Sequence, residues 1–314
     1  LLQKKKGYLL VALAAILWGT IGVQVKNLLH YQLSVQTIVL WRMAFAFITL
    51  FIYILLTNKS ILKVDSRGLL YISLIGLFSQ SFFNLLYFST IERTSVATAV
   101  TLLYTSPIFI SLMARVFYHE RFNLLKILAL FLCISGCFLT ASGGSLETLQ
   151  LNLSGILMGL GSGFTFALLT ILSKAIIKKY HPLTIIIYSI GSGLLFYLLF
   201  SNPAEIFKMK LTPGIWLWLL LLGLISTTLA YGFYISGLSC GIEVSKAGII
   251  STLELVVGVI LSYLIFKESL EKWKWLGILM VIWSVLMLQI KEFVPFHLFP
   301  PFSSIYKRSR KIIK

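Results

Sequence analysis

Glu254 has the most chemistry to offer in this 314-residue chain. It sits about midway along a long apolar run, where an ionised group is costly unless it is paired or hydrated. A carboxyl group there could load a proton or receive a cationic group from a bound molecule. It could equally be a neutral hydrogen-bonding group that joins two helices. Ser251 precedes it by one helical turn. At the matching depth of an earlier run stand Tyr104, Thr105, Ser106 and Pro107. Proline removes one backbone hydrogen bond and bends a helix, so carbonyls near residue 103 are freed to bind a ligand or to define a hinge. A static kink satisfied by Thr or Ser is the alternative.

Other polar groups in the apolar runs could line the same wall: Gln80 and Asn84, Ser162 and Thr165, Thr228 and Tyr231. Trp18 and Phe166 are aromatic residues placed to cap a cavity. Gly159 and Gly163 lie on one helical face, where small residues let helices approach closely or slide. Arg42 stands about two turns from one surface, and its long stem is expected to snorkel to that interface as an anchor, a reading that outweighs the alternative of cargo binding. Lys26 and Lys174, at the ends of runs, are read the same way.

Catalytic patterns are missing. The four histidines, His30, His119, His181 and His297, are far apart and near connections or the tail. There is no His-Glu-x-x-His, no nucleophile elbow and no phosphate loop ending in Gly-Lys-Ser/Thr. Gly159-x-Gly161 lies inside an apolar run with no strand before it, which removes a nucleotide-loop reading. Neither a cofactor, a metal nor an enzymatic activity is expected. Cys133, Cys137 and Cys240 read as small packing residues.

The elements that must position these groups are long and apolar. The chain is 58% hydrophobic and 12% charged, with a mean hydropathy of +0.94. Runs of about 20 apolar residues suffice to cross a hydrocarbon layer roughly 30 Å thick as helix. The pattern predicts ten helices near 7–26, 35–56, 69–89, 96–117, 124–142, 153–174, 184–201, 214–234, 243–266 and 273–290. Uninterrupted runs exclude a transmembrane β-barrel, which alternates over about ten residues.

The pattern also repeats. Gly7 matches Gly155, Lys26 matches Lys174, Ser106 matches Glu254 and Glu120 matches Glu268, each at the same shift of 148 positions (155 − 7). Each copy holds five helices, an odd number, so the second copy is expected to insert upside down. Inverted repeats place a site near the bilayer midplane that opens to either side in turn. The division is 1–142 for the first repeat, 143–152 for the joint, 153–290 for the second repeat and 291–314 for a basic tail.

A net charge of +17 could suggest nucleic acid, but its placement argues for a membrane. Lys4, Lys5, Lys6, Lys59, Lys63, Arg67, Arg121, Lys126, Lys178, Lys179 and the tail fall on one side of a ten-helix arrangement. The opposite connections mix Arg93, Lys208, Lys210, Lys267, Lys272 and Lys274 with acidic residues. The positive-inside rule then puts both termini in the cytoplasm of a multi-pass protein of the cytoplasmic membrane. Anionic lipid is the expected partner of the basic face.

Taken together, Trp18-Gly19, Trp41-Arg42, Tyr104-Thr105-Ser106-Pro107, His119-Glu120-Arg121, Leu253-Glu254-Leu255 and Lys267-Glu268 resemble the EamA family of the drug/metabolite transporter superfamily. The resemblance covers roughly residues 7–290. It implies ten helices around a central cavity lined by helices 1, 3, 4, 6, 8 and 9. It also implies transport, often export, of amino acids or other small metabolites, by alternating access and with or without proton coupling. This chain departs from the family pattern in two places. Leu255 stands where relatives commonly carry Pro, and His119 and Lys267 stand where they commonly carry Gly.

Overall fold

The computed structural model describes residues 2–147, 149, 152–208, 212–267 and 270–293. The expectations for Glu268, Lys210 and the tail beyond residue 293 lie outside these. Among the described residues, eight helices are long and apolar enough to cross a membrane. They are α1 (Leu2–Leu29), α2 (Val35–Thr57), α3 (Ser66–Arg93), α4 (Val96–Tyr118), α5 (Leu124–Ser142) and α6 (Leu153–Ile176), followed by α8 (Pro213–Ser239) and α9 (Val244–Phe266). Between α6 and α8 lies α7 (Pro182–Leu198), a shorter apolar helix of 17 residues. The last element is α10 (Lys272–Phe293).

The sequence sets these boundaries through caps. Ser34, Ser95, Asn123 and Asn152 each turn a side-chain oxygen onto free N–H groups at a helix start. At the far ends, His119 (φ 52°) closes α4 and Lys267 (φ 55°) closes α9, both left-handed. That backbone region favours glycine. It accounts for the family's glycine at these two repeat-related positions.

The helices pack in a pattern that survives exchange of the two halves. α1 lies against α8 and α9, and α6 lies against α3 and α4. α2 contacts α8 as α7 contacts α3, while α5 meets its own counterpart α10. Close approaches show the directions. A Cβ on Gly7 would meet Ile242 and one on Gly19 would meet Val257, so α1 and α9 run the same way. Gly155 beside Thr94 and Gly163 beside Thr105 say the same of α6 and α4. α4 and α9 run oppositely, because Glu120 after α4 accepts the Val244 N–H at the start of α9 at 2.7 Å. α1 and α6 therefore begin at opposite ends of the bundle.

Each end has its own polar clasp. At the end where α1 begins, Glu120 also accepts from the Ser245 hydroxyl, and Lys126 reaches Glu120 at 3.2 Å and Glu243 at 3.0 Å. Lys174 donates to the Leu238 and Ile242 carbonyls at 2.9 and 3.1 Å, capping α8 rather than snorkelling. Asp65 takes hydrogen bonds from Lys179 and Tyr180 at the same end. At the other end, Glu205 accepts from Ser34 and Thr37, and Lys26 lies 3.9 Å above the Phe266 ring.

Candidate functional site

Four of the long helices are irregular at mid-depth. α3 widens into a π-helical turn at Leu77–Phe82, and α8 does so at Leu224–Leu229, within one residue of the repeat-related position. Such turns often mark functional positions. α4 is interrupted at Tyr104–Thr105 and α9 at Thr252, again at related positions. In both, the threonine hydroxyl turns back to the carbonyl three residues earlier, Thr105 onto Leu102 at 2.6 Å and Thr252 onto Ile249 at 2.7 Å. α9 breaks without a proline, so the Leu255 departure does not make the halves bend differently. α1 also breaks, at Thr20. Thr20 and Gln24 there join Ser226 of the α8 π turn in a buried cluster with contacts of 2.8–2.9 Å.

These irregularities surround a cavity of about 130 Å³. Trp18 and Ile21 flank the α1 break, Phe83 and Asn84 follow the α3 π turn, and Tyr231 follows the α8 π turn. Glu254 stands in the first turn after the α9 break. Tyr87, Phe88, Leu103, Phe166 and Arg42 complete the wall. The rings interlock: Trp18 meets Tyr231 at 5.2 Å and Phe166 at 6.0 Å, and Phe83 meets Phe166 at 6.0 Å.

Arg42 corrects the expectation of a snorkelling anchor. It is only 8% exposed, and its Nη2 donates to Asn84 Oδ1 at 3.3 Å. α8 approaches its backbone at Gly223, where a Cβ would stand 2.9 Å from the Arg42 carbonyl oxygen. Arg42 and Glu254 lie in each other's electrostatic field across the cavity. The linear pattern left the choice between anchor and cargo contact open for Arg42, because depth along α2 does not report which neighbour it faces.

Of the other expected wall residues, Trp18, Asn84, Phe166, Tyr231 and Glu254 come together at the cavity. The remainder do not. Ser162 bonds to the Gly159 carbonyl, Thr165 to Gly161 and Ser162, Ser251 to Gly248 and Thr228 to Ala46. Ser106 is buried in α4, and Tyr104 lies behind the wall within the field of Glu254. Gln80 is fully buried with its side-chain amide beside Tyr231. Gly159 and Gly163 sit against Leu102, Leu103 and Thr105, and Pro107 is in the first turn after the α4 break. Sequence reasoning missed Ile21, Phe83, Tyr87, Phe88 and Leu103, which carry no signal apart from their apolar surroundings.

Comparison with known proteins matches this arrangement. A transporter of Salmonella typhimurium described as the uncharacterized inner membrane transporter YicL is 27% identical over 292 residues, covering 91% of this chain and 96% of that protein. An uncharacterized transporter of Archaeoglobus fulgidus is 28% identical over 282 residues, covering 88% and 94%. YwfM of Bacillus subtilis, also an uncharacterized transporter, is 25% identical and covers 89% and 92%. A solved crystal structure superposes with a TM-score of 0.77 at 13% identity, covering 91% of this chain and 97% of that one, and speaks for the fold alone. The EamA-like transporter family model matches residues 5–142 and again 153–290, the two copies read from the 148-residue shift. With two family repeats and eight membrane-length helices in one chain, this multi-pass membrane protein belongs to the EamA-like transporter family.

Proposed function

We propose that the chain is a secondary transporter that crosses the cytoplasmic membrane ten times as two inverted five-helix halves. α7 and α10 supply the two crossings beyond the eight long helices. Both termini face the cytoplasm, with the basic end of the bundle on anionic lipid. The cargo is an amino acid or another small metabolite. Export is the working direction, a choice that follows from the family resemblance.

The observation that carries this reading is the cavity at the seam of the two halves, whose lining includes both Arg42 and Glu254 among interlocked aromatic rings. The opposed directions of α1 and α6 support alternating access, because two halves related in this way can rock about a fixed central site. Glu254 is the proton carrier in this scheme. It lies inside the cavity, where cargo and proton compete for one carboxyl group.

The test is transport by purified protein in proteoliposomes, assayed with a labelled amino-acid mixture, with and without an imposed pH gradient. Glu254→Gln is expected to abolish gradient-driven accumulation and to weaken, without abolishing, exchange of cargo between the two sides. Gradient-driven accumulation by the variant at the wild-type level would overturn the coupling assignment. Equal wild-type transport with and without the gradient would make the protein a facilitator.

A further inference from the structure

Arg42 is a guanidinium with too few partners for its burial. It is 92% buried, its one hydrogen bond is the 3.3 Å contact to Asn84, and its Nε has no partner at all. A guanidinium presents five N–H donors in a planar fork that suits a carboxylate. Buried donors without acceptors are costly, and a native protein that keeps them usually has a use for them. Here the unused donors belong to a residue on the wall of the cavity.

The opposite pole is equally defined. Glu254 is on the same wall, and Trp18, Phe166 and Tyr231 line it as well, aromatic rings of the kind that attract a cation. Arg42 and Glu254 do not close on each other as an ion pair among the described contacts, so the space between them is left for a molecule with both charges.

Resting on the transporter reading above, we propose that Arg42 is the anion receptor of the cavity and Glu254 with its aromatic neighbours the cation receptor. The cargo is thus a small zwitterion whose carboxylate is obligatory. Carboxylate loss leaves the Arg42 fork unsatisfied, and amine loss leaves Glu254 without its counter-charge. Sugars and nucleosides meet neither requirement, and simple polyamines lack the carboxylate.

Binding to wild-type protein in lipid nanodiscs tests this without a mutant, read from the intrinsic fluorescence to which Trp18 contributes and from thermal stabilisation. The probes are three matched sets: leucine, isoamylamine and 4-methylpentanoate; phenylalanine, phenethylamine and 3-phenylpropionate; glycine betaine, choline and acetate. In at least one set the zwitterion is expected to bind at least tenfold more tightly than either single-charge analogue. Arg42→Gln should erase that preference, bringing the zwitterion down to the level of its amine, and Arg42→Lys should restore part of it.

Amines binding as tightly as their zwitterions would overturn the inference, as would a zwitterion preference unchanged in Arg42→Gln. The absence of binding in all three sets would overturn it too. None of these results touches the transporter reading, which stands or falls on flux in proteoliposomes. If Arg42→Gln does not fold, the wild-type comparison alone decides.

Discussion

At the scale of single residues, what matters is which polar groups remain unengaged after folding. Serines and threonines in α4, α6 and α9 looked like wall candidates because they are polar in apolar runs. Most turn back onto carbonyls three or four residues earlier, a local bond that satisfies the hydroxyl and withdraws it from the cavity. Arg42 and Glu254 make no such local bond among the described contacts, and they meet at the cavity with Asn84, whose amide nitrogen turns back onto the Gln80 carbonyl while its oxygen accepts from Arg42. Outside the membrane-spanning segments, Asp65 is the clearest titrating residue. Hydrogen bonds from Tyr180 and Lys179 pull its carboxyl down to about 2, and hydrogen bonds with Tyr180 and then Asp65 raise the Lys179 ammonium. The sign follows from linkage. The carboxylate contributes fully above its ordinary value, near 3.9, and loses that contribution as pH falls through about 2. The ammonium contributes fully below its ordinary value, near 10.4, and loses that contribution only at higher pH. The melting temperature of Asp65→Asn is thus expected to trail wild type by the same margin at pH 5 and pH 9. A margin that vanishes at pH 5 would contradict the assignment.

At the scale of elements, the eight long apolar helices found among the described residues were legible because run length and flanking caps are local properties. The predicted 96–117 and 124–142 became Val96–Tyr118 and Leu124–Ser142. The π turns of α3 and α8 were not legible. They come from packing: α3 closes on α7 at Gly76, and α8 closes on α2 at Gly223. Pro107 marked the α4 break in the sequence, but the equal break at Thr252 has no proline and left no mark. Gly223 carries the most consequence for the site. A Cβ there would stand 2.8 Å from the Phe45 Cβ, 2.9 Å from the Ala46 nitrogen and 2.9 Å from the Arg42 carbonyl oxygen. Two of those atoms are backbone and cannot rotate away, so α2 must shift and take Arg42 with it. Gly223→Ala is expected to destabilise the fold by about 1–3 kcal/mol. It should also weaken cargo binding, measured by chemical denaturation in detergent and by ligand titration. Wild-type stability and affinity together would contradict this close approach.

At the scale of the whole molecule, the repeat in the sequence reappears as a packing pattern that is unchanged when the halves are exchanged. Periodicity alone gave the number of runs per copy, and an odd number implies opposite insertion. It could not give the partners, because which helix meets which depends on tilt and on where small residues permit contact. The central cavity follows from those partners: α1 crosses to α8 and α9, and α6 crosses to α3 and α4, so residues from both halves face one space. The whole account depends on the two halves being inserted in opposite senses around that space. The most direct measurement is membrane-impermeant thiol labelling of single cysteines at Lys4 and Asn152, which begin α1 and α6, in a background with Cys133, Cys137 and Cys240 replaced. In sealed vesicles of known orientation, Lys4→Cys should label only from the cytoplasmic face and Asn152→Cys only from the opposite face. Labelling of both from one face would contradict inverted halves, and with them the alternating-access account.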